Sequence, residues 1–109
     1  MTAVRSRIHH EQPVRAGRPL GLRVSIAHPM VSEHQVDAQG RRQARNILTR
    51  FECHGPQGLL FSANLQSAVA ANPSLQFWLQ PQASMALRLR WLGDGGFLHE
   101  TVHQLVVEP

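Results

Sequence analysis

Apolar and polar residues alternate along much of this chain. The clearest case is "LGLRVSIA", Leu20 to Ala27, where one face carries Leu20, Leu22, Val24 and Ile26. A period of two over seven residues predicts a strand with one buried face.

The alternation recurs in five later segments bounded by turn residues: 46–53, 59–65, 74–79, 85–91 and 97–107. "GDGG" at 93–96 predicts a hairpin between the last two, because Asp-Gly favours tight turns. With a short first strand around Ala3 to Ile8, the count is about seven short strands. That number and spacing predict an all-β fold, an immunoglobulin-like antiparallel β-sandwich.

The phase of each strand predicts which side chains face the core. Trp91 and Cys53 share the apolar phase of their strands, whereas Leu48, Leu60 and Trp78 point the other way. Several outward apolar residues on one sandwich suggest a sheet face that a partner covers. They also allow a homodimer of the isolated chain.

In the last strand the apolar phase slips. Leu98 and Val102 lie in one phase, and Leu105 and Val107 lie in the other. An extra residue in one strand shifts the phase in this way, so we predict a β-bulge near 103–104.

Length and composition favour one domain over residues 1–109. The chain has 109 residues, 42% of them hydrophobic, which suffices for one core. The net charge of +4 comes from arginines that are scattered except in "RRQAR", so it is weak evidence for a nucleic-acid partner. Neither an export signal nor an apolar run long enough to span a membrane is apparent.

"HPM", His28 to Met30, follows the first clear strand directly. Pro29 offers no backbone donor, so the simplest interpretation is a strand end with Met30 packed over the core. The alternative is a soft-metal site, because imidazole and thioether together suit copper(I). The seven histidines and three methionines form no HxxxH or MxxM cluster, so we predict no metal or cofactor.

Cys53 is the single cysteine, and His54 follows it. Neighbouring residues of a strand point to opposite faces, so His54 is badly placed to act as a base for Cys53. Cys53 is better interpreted as a small buried hydrophobe. With no paired carboxylates and no phosphate-binding glycine loop, we predict that the chain is not an enzyme and has no catalytic residues.

The arginines of "RRQAR" are the nucleic-acid candidates: Arg41, Arg42 and Arg45. Few aromatic residues stand near them to stack on bases. A solvated loop is the simpler interpretation, and we predict neither nucleic-acid nor membrane binding.

The order of these motifs resembles the SoxZ family from about Leu20 to Val107. The succession is "HPM", a loop with Asp37 and Gly40, a strand, Asn72 and Pro73 before "LQFWL", and a tryptophan strand with an Asp/Gly turn. Each motif is short, and their collinear order carries the resemblance.

The resemblance implies a non-catalytic subunit of the SoxYZ sulfur carrier of thiosulfate oxidation. Its partner would be a SoxY-like protein that carries sulfur intermediates on a glycine-flanked C-terminal cysteine, and other sulfur-oxidation enzymes would be reached through the complex. The chain would be periplasmic, exported together with that partner. The partner-binding residues would be His28, Pro29, Met30, Asn72, Pro73 and Trp78.

Two other functions stay open on the sequence. One is a small periplasmic copper-binding β-sandwich using His28 and Met30. The other is a nucleic-acid-binding β domain using Arg41, Arg42 and Arg45. A chemical role for Cys53 ranks below both.

Overall fold

A computed structural model of the chain describes residues 4–31, 36, 38–41, 44–66 and 69–109. This part contains nine strands: β1 Ser6–His10, β2 Val14–Arg15, β3 Leu20–Ile26, β4 Leu48–Gly55, β5 Gly58–Asn64, β6 Ser74–Leu79, β7 Met85–Gly93, β8 Leu98–Leu105 and β9 Val107–Glu108. A 3-10 turn over Asp94–Gly96 joins β7 to β8, where the sequence predicts a hairpin. None of the described residues belongs to a helix long and apolar enough to cross a membrane.

The strands form two main antiparallel sheets. One has the order β1-β3-β6, and the other has the order β5-β4-β7-β8. The two-residue strands β2 and β9 pair in parallel beside them, and they are too short to show a sequence period. The predicted all-β, immunoglobulin-like sandwich is confirmed, with nine strands where the sequence suggests about seven.

The core lies between the two sheets and centres on Phe51. Its ring lies 4.6 Å from that of Trp91 and 5.8 Å from that of Phe77, measured between ring centroids. Phe51 and Trp91 belong to the four-stranded sheet and Phe77 to the three-stranded one, so these rings join the layers. Trp91 is 1% exposed, which confirms its predicted place in the core.

Leu48 was predicted to face outward, and this prediction is wrong. Its exposed fraction is 0%. The pairing of β4 with β7 shifts register between Leu48 and Arg50. The extra residue, Thr49, reverses the phase, so Leu48 turns to the same face as Phe51.

The bulge predicted near His103 and Gln104 is absent. β8 pairs with β7 without interruption from Leu98 to Leu105. The phase slip has another cause: Leu98 and Val102 lie on the outer face, where both are exposed, while His99 and His103 take inner-face positions. Polar residues at inner positions of this edge strand therefore give the same pattern of apolar residues as a bulge would.

Candidate functional site

The loop after β3 is held by its own side chains. His28 and Met30 are 4% and 3% exposed. The Met30 backbone N–H donates to Nδ1 of His28 at 3.0 Å, and the Leu48 N–H donates to Sδ of Met30 at 3.3 Å. Met30 has a φ of 51°, which is uncommon for a residue other than glycine. The loop therefore closes over the end of the core.

Asn72 joins the second predicted loop to the first. The His28 N–H donates to Oδ1 of Asn72 at 2.9 Å, and the Asn72 N–H donates to the His28 carbonyl at 2.8 Å. Asn72 adopts a left-handed conformation with a φ of 55°, which asparagine tolerates better than most residues. The next residue, Pro73, is buried and accepts a hydrogen bond from the Ile26 N–H. The two predicted partner-binding segments, 28–30 and 72–73, are thus joined by hydrogen bonds, and we call them together the loop unit.

The His28 ring is packed as a core residue. Phe97 meets it edge to face, with ring centroids 5.3 Å apart. Burial lowers the pKa of His28, although a hydrogen bond with the Asn46 side chain and the charge of Asp94 oppose that shift. The imidazole is accordingly held in its neutral form at neutral pH.

The two proposed copper ligands already have internal partners. Nδ1 of His28 and Sδ of Met30 both accept backbone hydrogen bonds, so metal binding through these atoms would break the loop. Among the described residues, no group of three or more His, Cys, Asp or Glu side chains could hold an ion. The geometry supports the structural interpretation of "HPM".

Only part of this loop unit meets solvent. Pro29 and Asn72 are exposed, and a shallow cleft of about 310 Å³ beside them is lined by Arg5, Arg7 and Asn72. A partner at this end would therefore touch Pro29, Asn72 and these arginines, while His28, Met30 and Pro73 shape the loops from beneath.

Trp78 lies on the outer face of the three-stranded sheet. It is 65% exposed, as its phase predicts. Its ring rests on β3 at Gly21, where an added Cβ would lie 3.1 Å from the ring. Because any larger residue would push the ring away, Gly21 allows the indole to lie flat against the sheet.

Basic side chains accompany Trp78 on this face. Arg23 and His9 sit opposite each other in the β1 and β3 register, and Arg7 sits opposite Ser25. All three are exposed. In the part of the chain that the structure describes, neither Arg7 nor Arg23 takes part in an ion pair. We call Arg7, His9, Arg23 and Trp78 the basic face. Sequence phase marks Trp78 alone, because the arginines come together only through strand pairing.

The distance between the loop unit and Trp78 is set by strand β6. Trp78 is the sixth residue after Asn72, and six residues of extended chain span at most about 20 Å. An ordinary interface of about 800 Å² per partner spans that distance. One partner can therefore contact the exposed loop residues and the basic face together.

The profile of the family described as "Sulphur oxidation protein SoxZ" matches residues 7–103. This chain belongs to the SoxZ family. The match includes every predicted partner-binding residue, from His28 to Trp78. Sequence comparison with curated proteins gives no match.

Solved structures share the fold of this SoxZ-family chain. The superoxide reductase (neelaredoxin) of Ignicoccus hospitalis aligns with a TM-score of 0.70 and 20% identity, covering 94% of this chain and 80% of that one. Two variants of that enzyme align with TM-scores of 0.67 and 21% identity, over 93% of this chain and 79% of theirs. At this identity the similarity shows the fold alone.

Cys53 of the SoxZ-family chain is enclosed in the core. It is 0% exposed, and burial raises the pKa of its thiol to about 11. His54 instead reaches Glu52 on the opposite face, with Nε2 2.9 Å from Oε1. The prediction that Cys53 is a small buried hydrophobe is confirmed.

The arginine cluster is partly engaged within the fold. Arg45 makes two hydrogen bonds of 2.8 Å to the Asp94 carboxylate, and Oδ2 of Asp94 also accepts the Ile47 N–H at 3.1 Å. Arg42 lies outside the described residues. In this SoxZ-family chain Arg45 thus secures the β7–β8 turn, and its guanidinium is not available to bind phosphate without losing that contact.

Proposed function

We propose that this SoxZ-family chain is the non-catalytic subunit of a SoxYZ-type sulfur carrier. It binds and presents a SoxY-like partner whose glycine-flanked C-terminal cysteine bears the sulfur intermediates. Pathway enzymes act on the partner's cysteine, and the complex works in the periplasm, which the chain reaches together with the exported partner.

The observation that carries this proposal is the 65% exposure of Trp78 on a flat sheet face. Tryptophan is among the residues most enriched at the energetic centre of protein interfaces. An indole laid on Gly21 is held in place before binding, so little side-chain entropy is lost when a partner covers it.

Charge supports a partner surface of opposite sign. Arg23 lines a cleft together with Trp78, and Arg7 lies farther along the same sheet face. Neither arginine has an acidic partner in the described part of the chain. Complementary charge speeds association and fixes orientation. A SoxY-like protein that presents carboxylates around an apolar pocket would fit this face.

The burial of Cys53 supports a presenting role over a chemical one. A thiol with a pKa of about 11 is almost entirely protonated at neutral pH, and the thiolate is the nucleophile. The sulfur intermediate would therefore be carried by the partner's exposed cysteine while this chain positions the arm.

The test compares two exposed apolar residues on opposite sheets. Trp78→Ala should weaken binding of a SoxY-like protein from the same organism by about 30-fold or more, the size expected for an interface hot spot. Leu60→Ala is the matched control, because Leu60 is 45% exposed on the four-stranded sheet. Titration calorimetry that gave equal affinities for both variants and the parent chain would contradict this placement.

A further inference from the structure

The two sheets meet through histidines at one open side of the sandwich. β1 is the edge of one sheet and β8 is the edge of the other. Oγ of Ser6 lies 2.9 Å from Nε2 of His99, and Nε2 of His10 lies 3.0 Å from Nε2 of His103. The second pair brings two imidazoles together over 93 residues of sequence.

The hydrogen bonds assign the protons in this pair. Nδ1 of His10 lies 3.0 Å from the Glu11 carbonyl, so it carries the proton and donates it there. Nε2 of His10 therefore has the lone pair and accepts from Nε2–H of His103. Histidines that bind metals are commonly oriented in this way, with the second ring nitrogen donating to a backbone carbonyl.

The spacing of the two nitrogens fits one metal ion. Nitrogens about 2.0 to 2.1 Å from a shared ion lie about 2.9 to 3.4 Å apart at square-planar or tetrahedral angles. The observed 3.0 Å falls in that range. The rings meet edge to face at 73°. In the hydrogen bond the two nitrogens point towards each other, so each ring would turn by about 35 to 45° to aim its lone pair at a shared ion.

Solvent reaches the pair through a cleft of about 570 Å³. His10 and His103 line it together with Gln12, Gln104 and Glu108. Both imidazoles are only half-buried, so an ion can enter and keep waters on its remaining positions. The cleft also offers amide and carboxylate oxygens that could bind those waters.

We propose that His10 and His103 form a two-histidine site for a divalent transition-metal ion of the Zn²⁺ or Cu²⁺ class. Imidazole nitrogen is a favoured ligand of both ions. No third His, Cys, Asp or Glu joins the pair among the described residues, so water or a solute completes the coordination. This is a different site from His28 and Met30, whose donor atoms are engaged in the loop.

Metal binding requires the proton of His103 to move from one ring nitrogen to the other, but it requires no net release of a proton. His103 changes from its Nε2–H to its Nδ1–H tautomer through solvent, which frees the lone pair on Nε2. The neutral imidazole is the form that binds a metal ion.

The site borders the proposed partner surface. His10 pairs with Leu22 in the register and lies on the inner side of β1, whereas His9 pairs with Arg23 on the basic face. His10 also lines a cleft together with Arg23 and Trp78, so a partner on the basic face would lie next to the metal site. A bound ion would join β1 to β8 and resist separation of the sheets.

The test is calorimetric titration of the chain, without a histidine tag, with Zn²⁺ at pH 7.5. We expect one ion per chain with micromolar affinity, and at least tenfold weaker binding in both His10→Ala and His103→Ala. His9→Ala is the matched control, since it removes an exposed histidine from the adjacent position, and its affinity should equal that of the parent. Absence of one-to-one binding, or equal affinity in all four proteins, would overturn the site.

Two further measurements guard against misfolded variants. His103→Gln keeps a donor for His10 but lacks an imidazole, so it should fold and still bind Zn²⁺ at least tenfold more weakly. In the parent chain, Cu²⁺ should give an electron paramagnetic resonance spectrum with coupling to two imidazole nitrogens. A spectrum without nitrogen coupling, or unchanged affinity in folded His103→Gln, would reject the proposal.

Discussion

His28 and Asn72 exchange two hydrogen bonds across 44 residues of sequence, one through the Asn72 side chain and one between backbones. This exchange fixes the end of β3 against the start of β6. It also explains why two loops that look separate in the sequence act as one unit. The exposed Pro29 and Asn72 are presented to solvent from a rigid base.

Asn72→Ala should destabilise the fold by about 2 kcal/mol. It removes the acceptor for the His28 N–H and leaves a Cβ-bearing residue without a local hydrogen bond at a φ of 55°. Asn72→Asp keeps the acceptor and should stay within about 0.5 kcal/mol of the parent. Urea unfolding measures both, and an Asn72→Ala variant as stable as the parent would show that the exchange contributes nothing.

Glu52 should make stability depend on acid pH. Hydrogen bonds from Arg50, and then from His54, lower the pKa of Glu52 from 4.5 to about 2. A carboxyl whose pKa falls on folding contributes stability that is complete above its unfolded pKa. That contribution is lost as the pH falls from about 4.5 towards 2.

Glu52→Gln supplies the comparison for this pH dependence. The difference in free energy of unfolding between the parent and Glu52→Gln should be largest above pH 5 and shrink as the pH approaches 2. Chemical unfolding at a series of pH values measures it. A difference that stayed constant over this range would mean that the Glu52 pairing does not persist in solution.

Cys53 should be unreactive in the folded chain. It is fully buried, and its thiol pKa is raised to about 11. A disulfide reagent at pH 8 should therefore label it only as fast as the protein unfolds, and within seconds in concentrated urea. Rapid labelling without denaturant would show that Cys53 is accessible and would contradict its burial in the core.

The two tryptophans should respond differently to a quencher. Trp78 is 65% exposed and Trp91 is 1% exposed. Trp78→Phe should remove the emission that acrylamide quenches readily and leave a blue-shifted, protected signal from Trp91. If the remaining tryptophan were quenched as readily as the parent, Trp91 would not lie in the core.

Much of the fold follows from local periodicity, and its errors have local causes. β3 and β6 alternate cleanly, and their bounds are predicted to within one residue. In β4 the periodicity predicts the wrong face for Leu48, because a bulge at Thr49 reverses the phase and no residue type in the strand marks that bulge. In β8 the periodicity predicts a bulge that is absent, because histidines occupy inner positions where apolar residues are expected.

The candidate site is less predictable, since it depends on contacts between distant segments. Sequence marks Trp78 by its phase, and the family pattern marks His28 and Asn72. Nothing local brings Arg7 near Arg23, or His10 near His103. Arg7 and Arg23 come together through the register of β1 and β3, and His10 and His103 through the contact of two sheet edges. Neither arrangement is visible in a short stretch of the sequence.

The proposed function requires that this chain bind a SoxY-like protein in a defined complex. The most direct measurement is native mass spectrometry of the purified chain mixed with a SoxY-like protein from the same organism, one that ends in a glycine-flanked cysteine. We expect a stoichiometric heteromeric complex that is diminished by Trp78→Ala and unaffected by Leu60→Ala. Two proteins that remain separate at concentrations of tens of micromolar would contradict it.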